Sequence, residues 1–288
     1  MNSITLLSPA KINLTLEVFG KRPDGYHEIR SIVQPVNLFD EVKIDIEDGE
    51  GIVIESTGLE IPRGKDNLAW KAAEVFLDES ELNLDVKVSI RKRIPLGSGL
   101  GGGSGNAAAV LVGMNRMTKK ISENELVQLA PKIGSDVALF INCRSGMIEG
   151  IGEKITLIRD FPLFYYVLLN PGFETSTKRI YEFWDEMAKE EILTRINMED
   201  VVSLFKKGQF PLSNDLEKPA MYLYPEIKAL KERLLSMEVQ AVSMTGSGST
   251  VFGVFRDEEE AKRIYDYLKD SGRFKVFLAR GISGWHRL

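Results

Sequence analysis

Residues 95–109 read PLGSGLGGGSGNAAA, with six glycines between Gly97 and Gly105 and three alanines behind them. A strand pattern precedes this stretch. In LDVKVSIRKR (84–93), Val86, Val88 and Ile90 alternate with Lys87, Ser89 and Arg91. The apolar AAAVLVGMNRM that follows predicts a helix beginning near Ser104. A glycine loop that opens a helix suits a phosphate: the backbone approaches closely, successive N–H groups point at the anion, and the helix dipole adds positive potential. Three known loops share this outline. A Walker loop needs Lys and then Ser/Thr directly after its last glycine, and none stands here. Gly97, Gly99 and Gly102 match GxGxxG, but Pro95 separates them from the strand, and the charged face of that strand does not suit a buried parallel strand. A protein kinase needs HRD and DFG, and the chain has neither. A general phosphate cradle remains, beside the plainer reading of a tight loop whose small residues serve helix packing.

Outward from the loop, strand patterns open the chain in ITLL, INLTLEVF, EVKIDIED and GIVIES. Leu68, Ala72, Val75 and Phe76 recur at helical spacing in DNLAWKAAEVFLDES. Ser122 and Glu125 form a capping-box pattern, with Gly134 as a stop. The pattern restarts with a strand at 164–169, a helix opening at Pro225, and a helix capped by Asp257 with Ala261, Ile264, Tyr265 and Leu268 on one face. KVFLA closes the sheet. The restart places a domain boundary in 155–165, dividing the chain into 1–158 and 159–288. A second glycine stretch, MTGSGST (244–250), lies between two strand patterns; alone it reads as a tight turn.

Bulk properties narrow the function. A net charge of -5 over 288 residues does not suit a nucleic-acid coat, so a bound phosphate must be held locally. FPLFYYVLL (161–169) is the longest apolar run, well short of the roughly 18 residues of a membrane span. The N-terminus lacks a signal-peptide pattern, and the single cysteine, Cys143, allows no internal disulfide. These point to a cytoplasmic protein.

SPAKINL (8–14), PLGSGLGGGSGNAAA and MTGSGST resemble, in order, the three motifs of the GHMP kinases. GKRPDGYHEIRSIVQPVNLFDEV (20–42) resembles the branch of that superfamily serving non-mevalonate isoprenoid synthesis, as do DNLAWKAA (66–73), GSDVALFI (134–141), EGIGEKI (149–155) and NDLEKPA (214–220). The resemblance implies an α+β fold in two domains, an ATP-binding half like domain 2 of ribosomal protein S5 and a ferredoxin-like half, with both substrates in the cleft between them. Closure of that cleft would bring 244–250 to the phosphates. The implied reaction is ATP-dependent phosphorylation of the tertiary 2-hydroxyl of 4-diphosphocytidyl-2-C-methyl-D-erythritol.

The same resemblance assigns residues. Asp136 is the implied general base, although its local sequence equally suits a helix N-cap. Lys11 is its electrostatic partner, where a solvated strand lysine is the ordinary alternative. Asn13, Tyr26, His27 and Thr177 face the substrate, with Tyr26 and His27 reading the cytosine. Asn67, Pro95, Gly97, Gly99, Leu100, Gly101, Gly102, Gly103, Ser104, Gly105, Gly246, Ser247 and Gly248 belong to the ATP site. Gly105 stands where a second serine is expected, which removes one hydroxyl contact. Mg2+ accompanies ATP, with no protein ligand marked by the sequence. His286 reads as exposed and without a role. No nucleic-acid or membrane partner is expected, and the protein should be a monomer or weak homodimer. The rival readings are a kinase of the mevalonate or homoserine type and a non-catalytic binding protein on the same fold.

Overall fold

The computed structural model describes residues 2–188, 197–270 and 272–287. The first half runs β1 (Asn2–Asn13), β2 (Thr15–Lys21), β3 (His27–Asp48), β4 (Ile52–Gly58), α1 (Leu68–Ser80), β5 (Leu84–Lys92), α2 (Gly102–Thr118), α3 (Glu123–Leu129), α4 (Val137–Asn142), β6 (Gly146–Gly150) and β7 (Lys154–Leu157). The second half runs β8 (Tyr165–Asn170), α5 (Thr177–Ala188), α6 (Met198–Lys206), β9 (Ser213–Asn214), α7 (Glu217–Leu223), α8 (Pro225–Leu235), β10 (Val242–Met244), β11 (Val251–Phe255), α9 (Glu258–Leu268), β12 (Lys275–Arg280) and β13 (His286–Arg287).

β3 organises the first sheet. It pairs antiparallel with all of β1, with β2 and β6 near its start, and with β5 near its end. Only 41–48 of this strand carries a strand pattern in the sequence. Residues 31–36 are buried on both faces, so they do not alternate, and Pro35 argues against an inner strand. The alternating residues Val86, Val88 and Ile90 of β5 do face the core, against α1 and α2. Ala107, Ala108 and Ala109 are fully buried, and their small side chains bring α2 close to the sheet. α2 begins at Gly102 rather than near Ser104. Low helix propensity hides glycines from a sequence reading, but two of these lie hard against neighbours: a Cβ on Gly102 would meet Lys92 Nζ and Ile94, and one on Gly105 the Pro9 carbonyl. The Ser122–Glu125 capping box forms. α3 stops at Leu129, ahead of Gly134, and passes into a 3-10 turn that holds Pro131.

The second sheet has the order β10-β11-β8-β12, all antiparallel. With helices between β8 and β10 and α9 between β11 and β12, this is the ferredoxin-like β-α-β-β-α-β arrangement. Its strand begins at Tyr165, after the Pro162 stretch. Two short strands return to the first sheet: β9 pairs parallel with β2, and β13 pairs with β1. A shared buried cluster joins the halves, with Ile12, Leu14 and Ile32 packed among Phe164, Tyr166, Phe205 and Phe252. Among the described residues no helix is long and apolar enough to cross a membrane.

One buried carboxylate fastens the glycine loop to this frame. Asp40 of β3 accepts through Oδ1 from the backbone N–H groups of Arg93 (2.7 Å) and Ile94 (2.9 Å). Its Oδ2 accepts from Lys92 Nζ and from Asn106 Nδ2 of α2, the latter at 3.0 Å. Asn106 Nδ2 also reaches Ser8 Oγ of β1 at 3.1 Å. Burial pushes the Lys92 ammonium below its ordinary pKa, and the adjacent Asp40 offsets this only in part. Asp40→Ala would leave Lys92 buried without its counter-charge. Urea denaturation should show a stability loss of about 3–5 kcal/mol, and a loss below about 1 kcal/mol would mean that the pair does not hold the fold.

Candidate active site

Lys11 and Asn13 lie two residues apart on β1 and so share one face, while Ile12 between them enters the core. Lys11 Nζ donates to Asn13 Oδ1, and Asn13 Nδ2 donates to Ser31 Oγ at 2.8 Å. Lys11 Nζ also lies 3.8 Å from Asp136 Oδ2. Asp136 occupies the N-cap position of α4, but its side chain makes no capping bond and turns to Lys11 instead. The lysine is buried and the aspartate is a quarter exposed, so the carboxylate remains reachable. Burial lowers the Lys11 pKa from its ordinary value, and Asp136 partly opposes that shift.

These residues line a cavity of about 590 Å³, together with Tyr26, His27, Thr177, Gly97, Gly99, Gly101, Gly246 and Ser247. The three motifs meet through Thr245. Its hydroxyl accepts from Asn13 N–H at 3.0 Å and lies 3.2 Å from Asn13 Oδ1 and 3.3 Å from the Gly99 carbonyl, the two acceptors for its single proton. Thr250 N–H donates to the Ser98 carbonyl at 3.1 Å. The 244–250 turn therefore already rests on the glycine loop, and no closure is needed to bring it there. Gly99 has φ +77°, and a Cβ on it would collide with the Thr245 carbonyl. Thr177 Oγ1 bonds Ser247 Oγ at 2.8 Å, bringing the start of α5 to the same turn.

Other residues expected at the site lie outside the cavity lining. Gly102, Gly103, Ser104 and Gly105 form the first turn of α2, with Gly101 as its N-cap. Leu100 is in the core, and its carbonyl accepts from Lys11 N–H at 3.0 Å. Pro95 borders a smaller hollow with Leu59 and Asn170, and Gly248 backs onto Met244 and Ile227. Asn67 caps α1: its Oδ1 accepts from Ala69 N–H at 2.9 Å, and its Nδ2 donates to the Pro62 carbonyl at 2.6 Å. At Gly105 a Cβ would point at β1, 2.8 Å from the Pro9 carbonyl and 2.9 Å from Ser8 Oγ. His286 is exposed, as expected, and sits edge-on to Phe39 at 5.7 Å.

The base of the cavity brings in residues the sequence reading missed. Tyr181, Trp184 and Asp185 fall on one face of α5 and surround His27. The Tyr181 ring stacks on His27 at 4.6 Å, Trp184 meets it edge-on at 5.8 Å, and Asp185 Oδ1 lies 2.7 Å from its Nε2. Burial, with a contribution from the Asp136 charge, pushes the Tyr181 phenol well above its usual pKa. The i, i+3, i+4 spacing in RIYEFWDE was the available signal, but it equally fits a helix packing on a core.

An ion pair beside two interlocked glycine turns, on an α+β frame with a ferredoxin-like half, defines a GHMP kinase. The sequence matches the GHMP kinases N terminal domain over residues 67–144 and the GHMP kinases C terminal over 190–273. It is 37% identical over 270 residues to the 4-diphosphocytidyl-2-C-methyl-D-erythritol kinase of Citrifermentans bemidjiense, covering 91% of this chain and 93% of that one. A protein of the same name from Clostridium acetobutylicum is 38% identical over 279 residues, with 95% and 98% covered. The crystal structure of a 4-(cytidine 5'-diphospho)-2C-methyl-D-erythritol kinase superposes with a TM-score of 0.82 at 30% identity, covering 97% of this chain and all of that one. The chain belongs to the 4-diphosphocytidyl-2-C-methyl-D-erythritol kinase family.

The buried ammonium of Lys11 has a measurable signature. The unfolded chain holds this proton up to about pH 10.5, whereas the native chain releases it at lower pH. Between the depressed native pKa and 10.5 the unfolded state binds more protons, so this group makes stability rise with pH. Lys11→Met should remove that rise. In urea titrations the variant should be the more stable protein at pH 7, with the difference shrinking toward pH 10.5; a difference independent of pH would mean that Lys11 titrates as a solvated lysine.

Proposed function

We propose that the protein transfers the γ-phosphoryl group of ATP to the 2-hydroxyl of 4-diphosphocytidyl-2-C-methyl-D-erythritol, a step of non-mevalonate isoprenoid precursor synthesis. The observation that carries this reading is the Lys11–Asp136 pair, 3.8 Å apart, in a cavity bounded by both glycine turns and by the aromatic group around His27. A tertiary hydroxyl is a hindered nucleophile and a poor acid. Asp136, with its carboxylate accessible, accepts the hydroxyl proton as the oxygen bonds to phosphorus. Lys11 offsets negative charge gathering on the attacking oxygen. Asn13 holds Lys11 in place through its Oδ1.

The phosphates rest on backbone N–H groups of the glycine loop and at the start of α2, where the dipole favours anions. Asn67 serves the adenine with the amide hydrogen its cap and Pro62 bonds leave over. Magnesium arrives on the nucleotide. Among the described residues no three acidic, histidine or cysteine side chains cluster as a metal site, and this ion characteristically keeps phosphate oxygens and water as ligands. When bound it would neutralise the phosphates. Tyr26 and His27 receive the cytosine, and Thr177 the neighbouring substrate. The reading includes a division at 158/159, action in the cytoplasm on small molecules alone, and a monomer or weak homodimer.

Homoserine kinase from Cytophaga hutchinsonii shares the fold, with a TM-score of 0.71 at 18% identity. The aromatic group around His27 is what favours a nucleotide-bearing alcohol over a small one. In a coupled assay, the cytidyl substrate should be phosphorylated and mevalonate and homoserine should not; the reverse pattern would replace this reading. Asp136→Asn should lower turnover by about 10²–10⁴-fold while ATP binding by calorimetry stays near the parent value. Unchanged turnover would remove Asp136 as the base.

A further inference from the structure

His27 is held by a single helix face, and the hold determines which of its nitrogens carries the proton. Nε2 lies 2.7 Å from Asp185 Oδ1. The other carboxylate oxygen, Oδ2, lies 3.9 Å from Lys21 Nζ. An ionised carboxylate can only accept, so the short contact puts a proton on Nε2. A neutral imidazole protonated there carries its lone pair on Nδ1. No hydrogen bond reaches Nδ1 among the described residues, and His27 lines the cavity whereas Asp185 does not. Stacking on Tyr181 and the edge contact with Trp184 pack the ring on two sides.

We propose that Asp185 is the positioning residue that makes this site select an aminopyrimidine: by fixing His27 with Nε2 protonated, it presents Nδ1 as an acceptor to the 4-amino group of cytosine. The proposal rests on the cytidyl reading above. Uracil carries an oxygen at the same ring position, so two acceptors would face each other. Its own donor, N3–H, lies one ring atom away and would require the base to shift against the aromatic rings. A site arranged to bond one polar edge rejects an analogue lacking it strongly, because its own buried group is then unpaired.

The test compares the cytidyl substrate with its uridyl counterpart in the parent, Asp185→Ala, Asp185→Asn and His27→Ala. The parent should prefer cytidyl in kcat/KM by roughly 10²-fold. Asp185→Ala should lose most of that preference, through a KM for the cytidyl substrate raised about tenfold, with kcat and the KM for ATP changed much less. Asp185→Asn, whose amide oxygen still accepts from Nε2, should keep most of the preference. In ¹⁵N-histidine spectra the parent signal that vanishes in His27→Ala should show one protonated and one unprotonated nitrogen, and Asp185→Ala should shift it toward a mixture of tautomers. Parent-like preference in Asp185→Ala, or a doubly protonated His27 in the parent at assay pH, overturns the proposal. If His27→Ala abolishes the preference while Asp185→Ala keeps it, only the Asp185 role fails. If His27→Ala also keeps it, the cytidyl reading of this cavity fails with it.

Discussion

A carboxylate with no water around it must find all its partners in the protein, and Asp40 finds them on two chain segments, one on either side of the glycine loop. Lys92 at the end of β5, the backbone just after it, and Asn106 of α2 all bond to its two oxygens. The glycine loop spans the gap between those segments, so both of its ends are fixed to β3. This is how a stretch with so many glycines can have a definite shape. The side chains that would ordinarily restrict the loop are absent, and the restriction comes from the anchors on either side. Lys92 also lies behind Gly102, where any side chain would meet its ammonium. The opening of α2 is therefore backed by the Lys92–Asp40 ion pair.

A second constraint joins the halves. Thr245, from the ferredoxin-like half, has its hydroxyl between Asn13 of β1 and the carbonyl of Gly99. Asn13 in turn receives the Lys11 ammonium. The Lys11–Asp136 pair, the first glycine loop and the second glycine turn are thus coupled by hydrogen bonds through one threonine and one asparagine. The geometry around Asp136 depends on contacts made by residues far from it in the chain.

The glycine turns and the amphipathic helices were legible in the sequence because their physics is local. Gly99 needs its positive φ whatever surrounds it, and Asp257 caps α9 through its immediate neighbours, Glu259 and Glu260. The long strand β3 was legible only at its end. Its middle is buried on both faces and contains Pro35, features that a period-two pattern cannot register. The Lys11–Asp136 pairing entered through resemblance alone, since no local pattern encodes the approach of β1 to the start of α4. Tyr181, Trp184 and Asp185 were missed for a related reason: their spacing marks a helix face without saying what that face touches.

β2 pairs with residues 213–214, and Asp215 Oδ2 accepts from Val18 N–H at 2.8 Å. The strand that continues from Lys11 and Asn13 thus has one edge completed by chain made much later. A nascent protein that has emerged only as far as β7 would present that edge open and half of a shared apolar cluster bare. The cavity lining is complete only once Gly246 and Ser247 have been made, so translation must run past β10 before the cleft can exist. A chain stalled before that point exposes apolar surface that the finished fold covers.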